Sequence, residues 1–135
     1  MAGVVPEPVI RVVAGLITDP DGRLLLVRKR GTDRFMQAGG KPEAGETPRA
    51  ALVRELEEEL GLRVPEATLA PVGAFTTEAA NEAGHRLEAD VFRLEVAEPV
   101  APRSEIEELV WLAPEDARAL GPRLAPLAHL LLPSP

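Results

Sequence analysis

Glu55, Glu58 and Glu59 are spaced so that a helix carries all three on one side, because residues three and four apart are helical neighbours. The same wheel sets them beside an apolar stripe of Leu52, Val53, Leu56 and Leu60, at the border between core and solvent. Like charges at these spacings repel by roughly 0.2–0.5 kcal/mol per pair. Arg54 relieves this only in part, since on the wheel it lies nearer Glu57 and Glu58 than Glu55. Carboxylate oxygens gathered beside a core are what a hard cation such as Mg²⁺ prefers. A run like Glu57-Glu58-Glu59 is equally at home as solvated helix surface, so the flanking residues must decide.

The helix that carries these side chains has clear ends. Thr47 suits the N-cap, Pro48 the first helical position, and Gly61 the left-handed residue after the last turn. Before it lies a Gly-rich segment, Ala38 to Glu46, and before that two apolar runs, Val9–Thr18 and Leu24–Val27. Asp19-Pro20-Asp21-Gly22 reads as a type I turn that joins them into a hairpin, which ends in the basic run Arg28-Lys29-Arg30. Val72–Thr77 and Leu87–Val96 read as strands around a turn at Asn81-Glu82-Ala83-Gly84. In the second, alternation runs Leu87, Ala89, Val91 and then slips to Phe92, Leu94, Val96, which suggests a β-bulge. Leu109–Leu112 is a short strand, and Pro114–Leu120 and about Pro126–Leu132 are short helices. Strands interleaved with one long and two short helices predict an α/β (α+β) fold, a mixed sheet packed between helices. With no repeat or linker in view, residues 1–135 are expected to form a single domain.

Residues 40–62 match in full the signature of the Nudix hydrolases, G-x5-E-x7-R-E-U-x-E-E-x-G-U with U aliphatic. The matching residues are Gly40, Glu46, Arg54, Glu55, Leu56, Glu58, Glu59, Gly61 and Leu62. The chain thus resembles the MutT-like members of that family, and the strands on either side fall where the family places them. The resemblance implies an α/β/α sandwich and a Mg²⁺-dependent reaction, with Mn²⁺ able to substitute. It implies that Glu55, Glu58 and Glu59 hold the metal together with the Gly39 carbonyl, and that Gly40, Glu46 and Gly61 shape the motif. Arg54 and Glu46 look like braces for the loop and the glutamates. Lys41 lies where similar enzymes place a lysine on a phosphate or leaving group. Glu105, six residues before Trp111, stands where they place a further metal ligand or base, with Glu107 and Glu108 as competitors on the same loop. Glu58, Glu105, Lys41 and Arg54 are therefore the expected catalytic set. Glycines at 39 and 40 would let backbone approach metal and phosphate with no Cβ between. The family often has proline before the paired glycines; here it is Ala38, which implies a slightly different loop stiffness and an unaltered metal site.

Arg28 and Lys29 are candidates for holding substrate phosphates, with ordinary surface charge as the alternative. Phe35 and Gln37 could meet a base, and core packing serves Phe35 equally well. Trp111 reads as a core anchor of its strand. The net charge of −7 argues against a nucleic-acid polymer as partner and leaves a small nucleotide open, since divalent cations can supply the missing positive charge. There is no cysteine, which excludes disulfides and thiolate chemistry. Residues 1–10 lack the basic and apolar regions of a signal peptide, and no apolar run is long enough for a membrane span. A cytoplasmic protein is the expectation, as monomer or homodimer.

The expected reaction is pyrophosphohydrolysis of a nucleoside diphosphate-linked compound, foremost nucleoside triphosphates to monophosphate and pyrophosphate. ADP-ribose, nucleotide sugars, dinucleoside polyphosphates and coenzyme A are alternative substrates within the same resemblance. A catalytically silent nucleotide-binding domain is the alternative of another class, disfavoured by the intact set of glutamates. MutT-like enzymes for oxidised guanine use an asparagine near the last helix. The only asparagine here is Asn81, so discrimination by hydrogen bonds to the base should be weak, with Phe35 or Phe75 stacking loosely on it.

Overall fold

A computed structural model describes residues 8–80 and 84–133. Asp19 reverses the chain near its start. Its carbonyl accepts from the Gly22 N–H at 3.0 Å, and its carboxylate accepts from the N–H groups of Asp21 and Arg23 at 3.0 and 2.8 Å. With Gly22 at φ 82°, the turn forms as its residue types require. The strands that leave it are β1 (Val9–Thr18) and β2 (Leu24–Lys29). They do not continue as the expected hairpin: their register holds only at Thr18↔Leu24. Turn chemistry sets the reversal, whereas pairing beyond it depends on partners that arrive from elsewhere in the chain.

Those partners are β3 (Phe35–Met36), β4 (Ala38–Gly40), β5 (Ala70–Glu78), β6 (Arg86–Glu95) and β7 (Ile106–Leu112). They form one mixed sheet in the order β3-β2-β1-β6-β5, with β4 against β1 and β7 against β2. Only β1 and β6 run parallel. The helices are α1 (Pro48–Leu60), α2 (Pro114–Arg118) and α3 (Pro126–Leu131). Leu25 and Val27 of β2 pack with Leu52, Leu56 and Leu60 of α1, while Leu24 and Leu26 pack with Ala117 of α2 and Ala128 of α3. Adjacent residues of a strand point to opposite faces, so α1 covers one face and the two short helices cover the other. This is the expected helix–sheet–helix arrangement, and it explains why Leu24–Val27 of β2 is an unbroken apolar run. Among the described residues no helix is long and apolar enough to cross a membrane.

Two strand readings are corrected. β6 keeps an unbroken register with β1 from Val9↔Arg86 to Thr18↔Glu95, so the slip at Val91–Phe92 is no bulge in that strand. Ala89 and Val91 belong to the core under α3, and Phe92, Leu94 and Val96 to the core under α1. The buried face changes partway along, and a sequence reads that change as a slip. The irregularity sits instead in β5, between Pro71 and Gly73, opposite Phe92 and Val91. β7 begins at Ile106, earlier than expected, which places Glu107 and Glu108 on a strand and leaves Glu105 in the loop. The expected turn at 81–84 lies, save Gly84, outside the described residues.

Candidate active site

Helix α1 is built as its end residues dictate. The Thr47 hydroxyl accepts from the Ala50 N–H at 3.1 Å, and Gly61, at φ 67°, donates its N–H to the Glu57 carbonyl at 2.9 Å. A Cβ on Gly61 would lie 2.7 Å from the Arg103 guanidinium carbon, so its smallness also admits the loop that leads to Glu105. With the leucines fully buried, the helix rotation is set, and the glutamates fall where that rotation puts them.

They do not share one environment. Glu59 is only 2% exposed, and its Oε1 accepts from the Gly39 N–H at 2.8 Å. Burial pushes its carboxyl up to about 7, against the pull of that N–H and helped by the nearby Glu55 charge. Burial raises Glu55 as well, with Arg54 opposing. Glu58 has a side chain 52% exposed and faces outward.

Arg54 is the hub of the cluster. It donates to both Glu46 oxygens at 2.8 Å, to Glu55 Oε1 at 2.8 Å, to Glu58 Oε2 at 3.3 Å and to the Lys41 carbonyl at 3.2 Å. The wheel reading holds for Glu58 and is corrected for the other two: Arg54 meets Glu55 more closely than Glu58, and Glu57 pairs with Arg63 at 3.1 Å. The reason is reach, since Arg54 folds back toward the Gly-rich loop and meets Glu46 there. Hydrogen bonds from Arg54, and then from the Glu43 N–H, hold Glu46 down to about 2.

The paired glycines have a packing reason that spacing alone did not reveal. Gly39 sits at φ 153°, and a Cβ there would lie 2.0 Å from the Val13 carbonyl oxygen. A Cβ on Gly40 would lie 2.6 Å from the Glu55 carboxyl carbon. Both hydrogens thus make room within the protein, one for β1 and one for a candidate metal ligand.

A cavity of about 510 Å³ opens beside this cluster. Gly39, Gly40, Lys41, Arg54 and Glu55 line one end, with Lys29 and Glu105 beside them at 3.4 Å from Nζ to Oε1. The rest of the wall includes Val12, Met36, Gln37, Leu87 and Leu127. Glu46, Glu58, Glu59, Arg28 and Phe35 are not in it. Two candidates for substrate contact are thereby corrected. Arg28 is turned away, its Nε on Glu108 at 2.8 Å and its NH1 on the Thr32 carbonyl at 2.9 Å. Phe35 is 5% exposed and packs with Leu24 and Leu124 on the far face, the Arg123 guanidinium 5.4 Å from its ring centroid. Phe75 packs against the core under α3, so no aromatic ring lines the cavity. Trp111 packs against the α1 core, as its anchor reading expects. Arg30 pairs with Glu107 at 3.3 Å, so of the three loop-end glutamates only Glu105 faces the cavity. Alternation along β7 could not have made that choice, since Glu105 lies just off the strand and shares parity with Glu107.

The donor set is hard oxygen throughout, which fits a magnesium-like cation by chemistry. Two of its carboxyls, Glu55 and Glu59, are desolvated and raised, a condition that a bound cation reverses. Among the described residues no three acidic side chains converge around a common point, because the Arg54 guanidinium lies between Glu55 and Glu58.

The description "NUDIX domain" matches residues 8–131, nearly the whole chain. The chain belongs to the Nudix hydrolase family. It is 36% identical over 115 residues to the CTP pyrophosphohydrolase of Escherichia coli K12, covering 80% of this chain and 78% of that protein. It is 43% identical over 60 residues to the 8-oxo-dGTP diphosphatase of Haemophilus influenzae, a stretch that is 42% of this chain and only 44% of that enzyme. The solution structure of the E. coli ORF135 protein superposes with a TM-score of 0.67 at 33% identity, covering 93% of this chain and 86% of that one.

Proposed function

We propose that the protein is a divalent-metal-dependent pyrophosphohydrolase that cleaves nucleoside triphosphates to monophosphate and pyrophosphate. The observation that carries this reading is one cavity with a phosphate-suited end and an apolar end, the two parts of a nucleotide. Glu55, Glu58, Glu59 and the Gly39 carbonyl are the residues that would hold Mg²⁺. When bound, the ion supplies charge neutralisation on the phosphates and a lowered pKa for water. Lys41 and Lys29 are the cavity's lysines and bear on the phosphate chain. Glu105 takes the proton of the attacking water, within reach of the cavity and oriented by Lys29. Water adds to phosphorus, the bridging P–O bond between the α and β phosphates breaks, and pyrophosphate leaves. Arg54 is a positioning residue that holds the Gly-rich loop against α1. The names of the E. coli and H. influenzae relatives, both nucleotide phosphohydrolases, support the same class.

The test is a hydrolysis screen of nucleoside triphosphates beside ADP-ribose, a nucleotide sugar, a dinucleoside polyphosphate and coenzyme A. A triphosphate is expected to give the highest kcat/KM. A value about a hundredfold higher for any of the other four, a gap of roughly 2.7 kcal/mol, would overturn the triphosphate assignment.

A further inference from the structure

The link between β3 and β4 places a single amide in the cavity wall. Gln37 is 8% exposed, and its Oε1 is buried with no hydrogen-bond partner among the described residues. It is the only side-chain polar atom in that condition among those residues. Buried amides are almost always paired, because an unmade hydrogen bond forfeits the water it displaced. An acceptor left open beside a cavity therefore points to a donor that arrives with the ligand.

The surroundings say which part of the ligand brings it. Gln37 shares the cavity with the aliphatic side chains of Ile10, Val12, Met36, Leu87 and Leu127, and Glu78 at the end of β5 is in the same wall. The Ala125 N–H donates to the Phe35 carbonyl at 2.8 Å and so ties the start of α3 to the strand just before Gln37. It is the carbonyl oxygen of the amide, not its nitrogen, that is left buried and open.

We propose that Gln37 reads the substrate's base, its carbonyl accepting from a ring amino group, so that the site prefers cytosine and adenine nucleotides to uracil and hypoxanthine ones. Uracil and hypoxanthine present a carbonyl where cytosine and adenine present the amine, and two acceptors cannot satisfy each other. The inference rests on the nucleotide reading above and sharpens it from triphosphates at large to those with an amino-bearing base. The preference comes from the unpaired acceptor, since a site built to bond a donor rejects the analogue that lacks it.

Binding without turnover separates this inference from the reaction. Dissociation constants for CMP, UMP, AMP and IMP are measured in EDTA for the wild type, Gln37→Met and Gln37→Leu, together with the melting temperature of each ligand-free protein. The wild type should bind CMP over UMP, and AMP over IMP, by about tenfold or more. In both variants the gaps should close to about twofold, while the ligand-free proteins melt higher because the stranded acceptor is gone. Equal binding within each pair, a reversed preference, or gaps that survive in both variants would overturn the proposal. If the gaps behave as expected and no triphosphate is hydrolysed, base reading stands and the proposed reaction falls. If triphosphates are hydrolysed with no gap in binding, the converse holds.

Discussion

The two ends of the cavity are built in different ways. At the charged end, one residue serves several tasks: Arg54 touches Glu46, Glu55, Glu58 and the Lys41 backbone, and Glu59 grips the Gly39 N–H. At the apolar end, the wall is assembled from β1, β6, the end of β5, the β3–β4 link and α3, and among the described residues Gln37 holds the one buried side-chain polar atom without a partner. A tight network tolerates little change, because every member positions another. An aliphatic wall tolerates shape-conserving changes and loses mainly preference. Mutations at the two ends should therefore differ in kind, as turnover against selectivity.

The largest effects belong at the charged end. Glu55→Gln should lower kcat by ~10³-fold or more while leaving the melting temperature in EDTA unchanged or higher, since it removes a desolvated charge. Gly40→Ala should reproduce that loss by pushing the Glu55 carboxylate aside. Steady-state kinetics with thermal melts checks both; near-normal turnover in Glu55→Gln would remove this residue from the metal set. Gly39→Ala should act on the fold instead, costing about 3 kcal/mol or more through its contact with the Val13 carbonyl and its φ of 153°. Chemical denaturation measures it.

Glu105→Gln should lower kcat by about 10²-fold with little change in KM, the pattern of an interaction felt mainly in the transition state. Glu107→Gln and Glu108→Gln, paired with Arg30 and Arg28, should change kcat far less. A larger loss in either would move the base to that position.

Acid–base behaviour of the metal-free protein separates two carboxyls of the same cluster. Glu59 binds its proton more tightly folded, at about 7, than unfolded, near 4.5. The native state then holds more protons between those values, so stability falls as pH rises from about 4.5 to 7 and stays low above. Glu46 has the opposite sign: held to about 2 when folded, it contributes stability above 4.5 that is lost as pH falls toward 2. Melting temperatures in EDTA across that range should rise from acid to about pH 4.5 and decline beyond it, and Mg²⁺ should offset the decline. A flat profile from pH 4.5 to 7 would contradict the burial argument for Glu59.

The smallest effect is expected outside the cavity. Phe35→Leu should lower stability by about 1 kcal/mol, since the shape is only partly conserved, and leave base preference as it was. A changed preference would return the ring to the substrate site.

Much of the charged end was legible because its logic is local. The cap at Thr47, the stop at Gly61 and the glutamate spacing all act within one helix, and periodicity reports them. The apolar end is legible only in pieces: the sequence marks Gln37 as a candidate base contact and leaves Phe35 open between core and base contact. The side that a strand residue faces depends on which helix covers the sheet there, as the apparent slip at Val91–Phe92 shows. Arg28 and Lys29 are adjacent and alike in type, and strand alternation parts them, but only the pairing of β2 with β7 shows that Arg28 meets Glu108 while Lys29 reaches the cavity.

From its sequence alone this chain is determined to carry the Nudix signature on a capped helix, with carboxylates beside an apolar stripe. Those features need only helical geometry and turn chemistry. The tertiary structure decided which glutamates are desolvated, which of three loop-end acids meets the cavity, and why both glycines are required. Each of these depends on contacts between segments far apart in the chain, where a carbonyl of β1 or a carboxylate of α1 takes up the space.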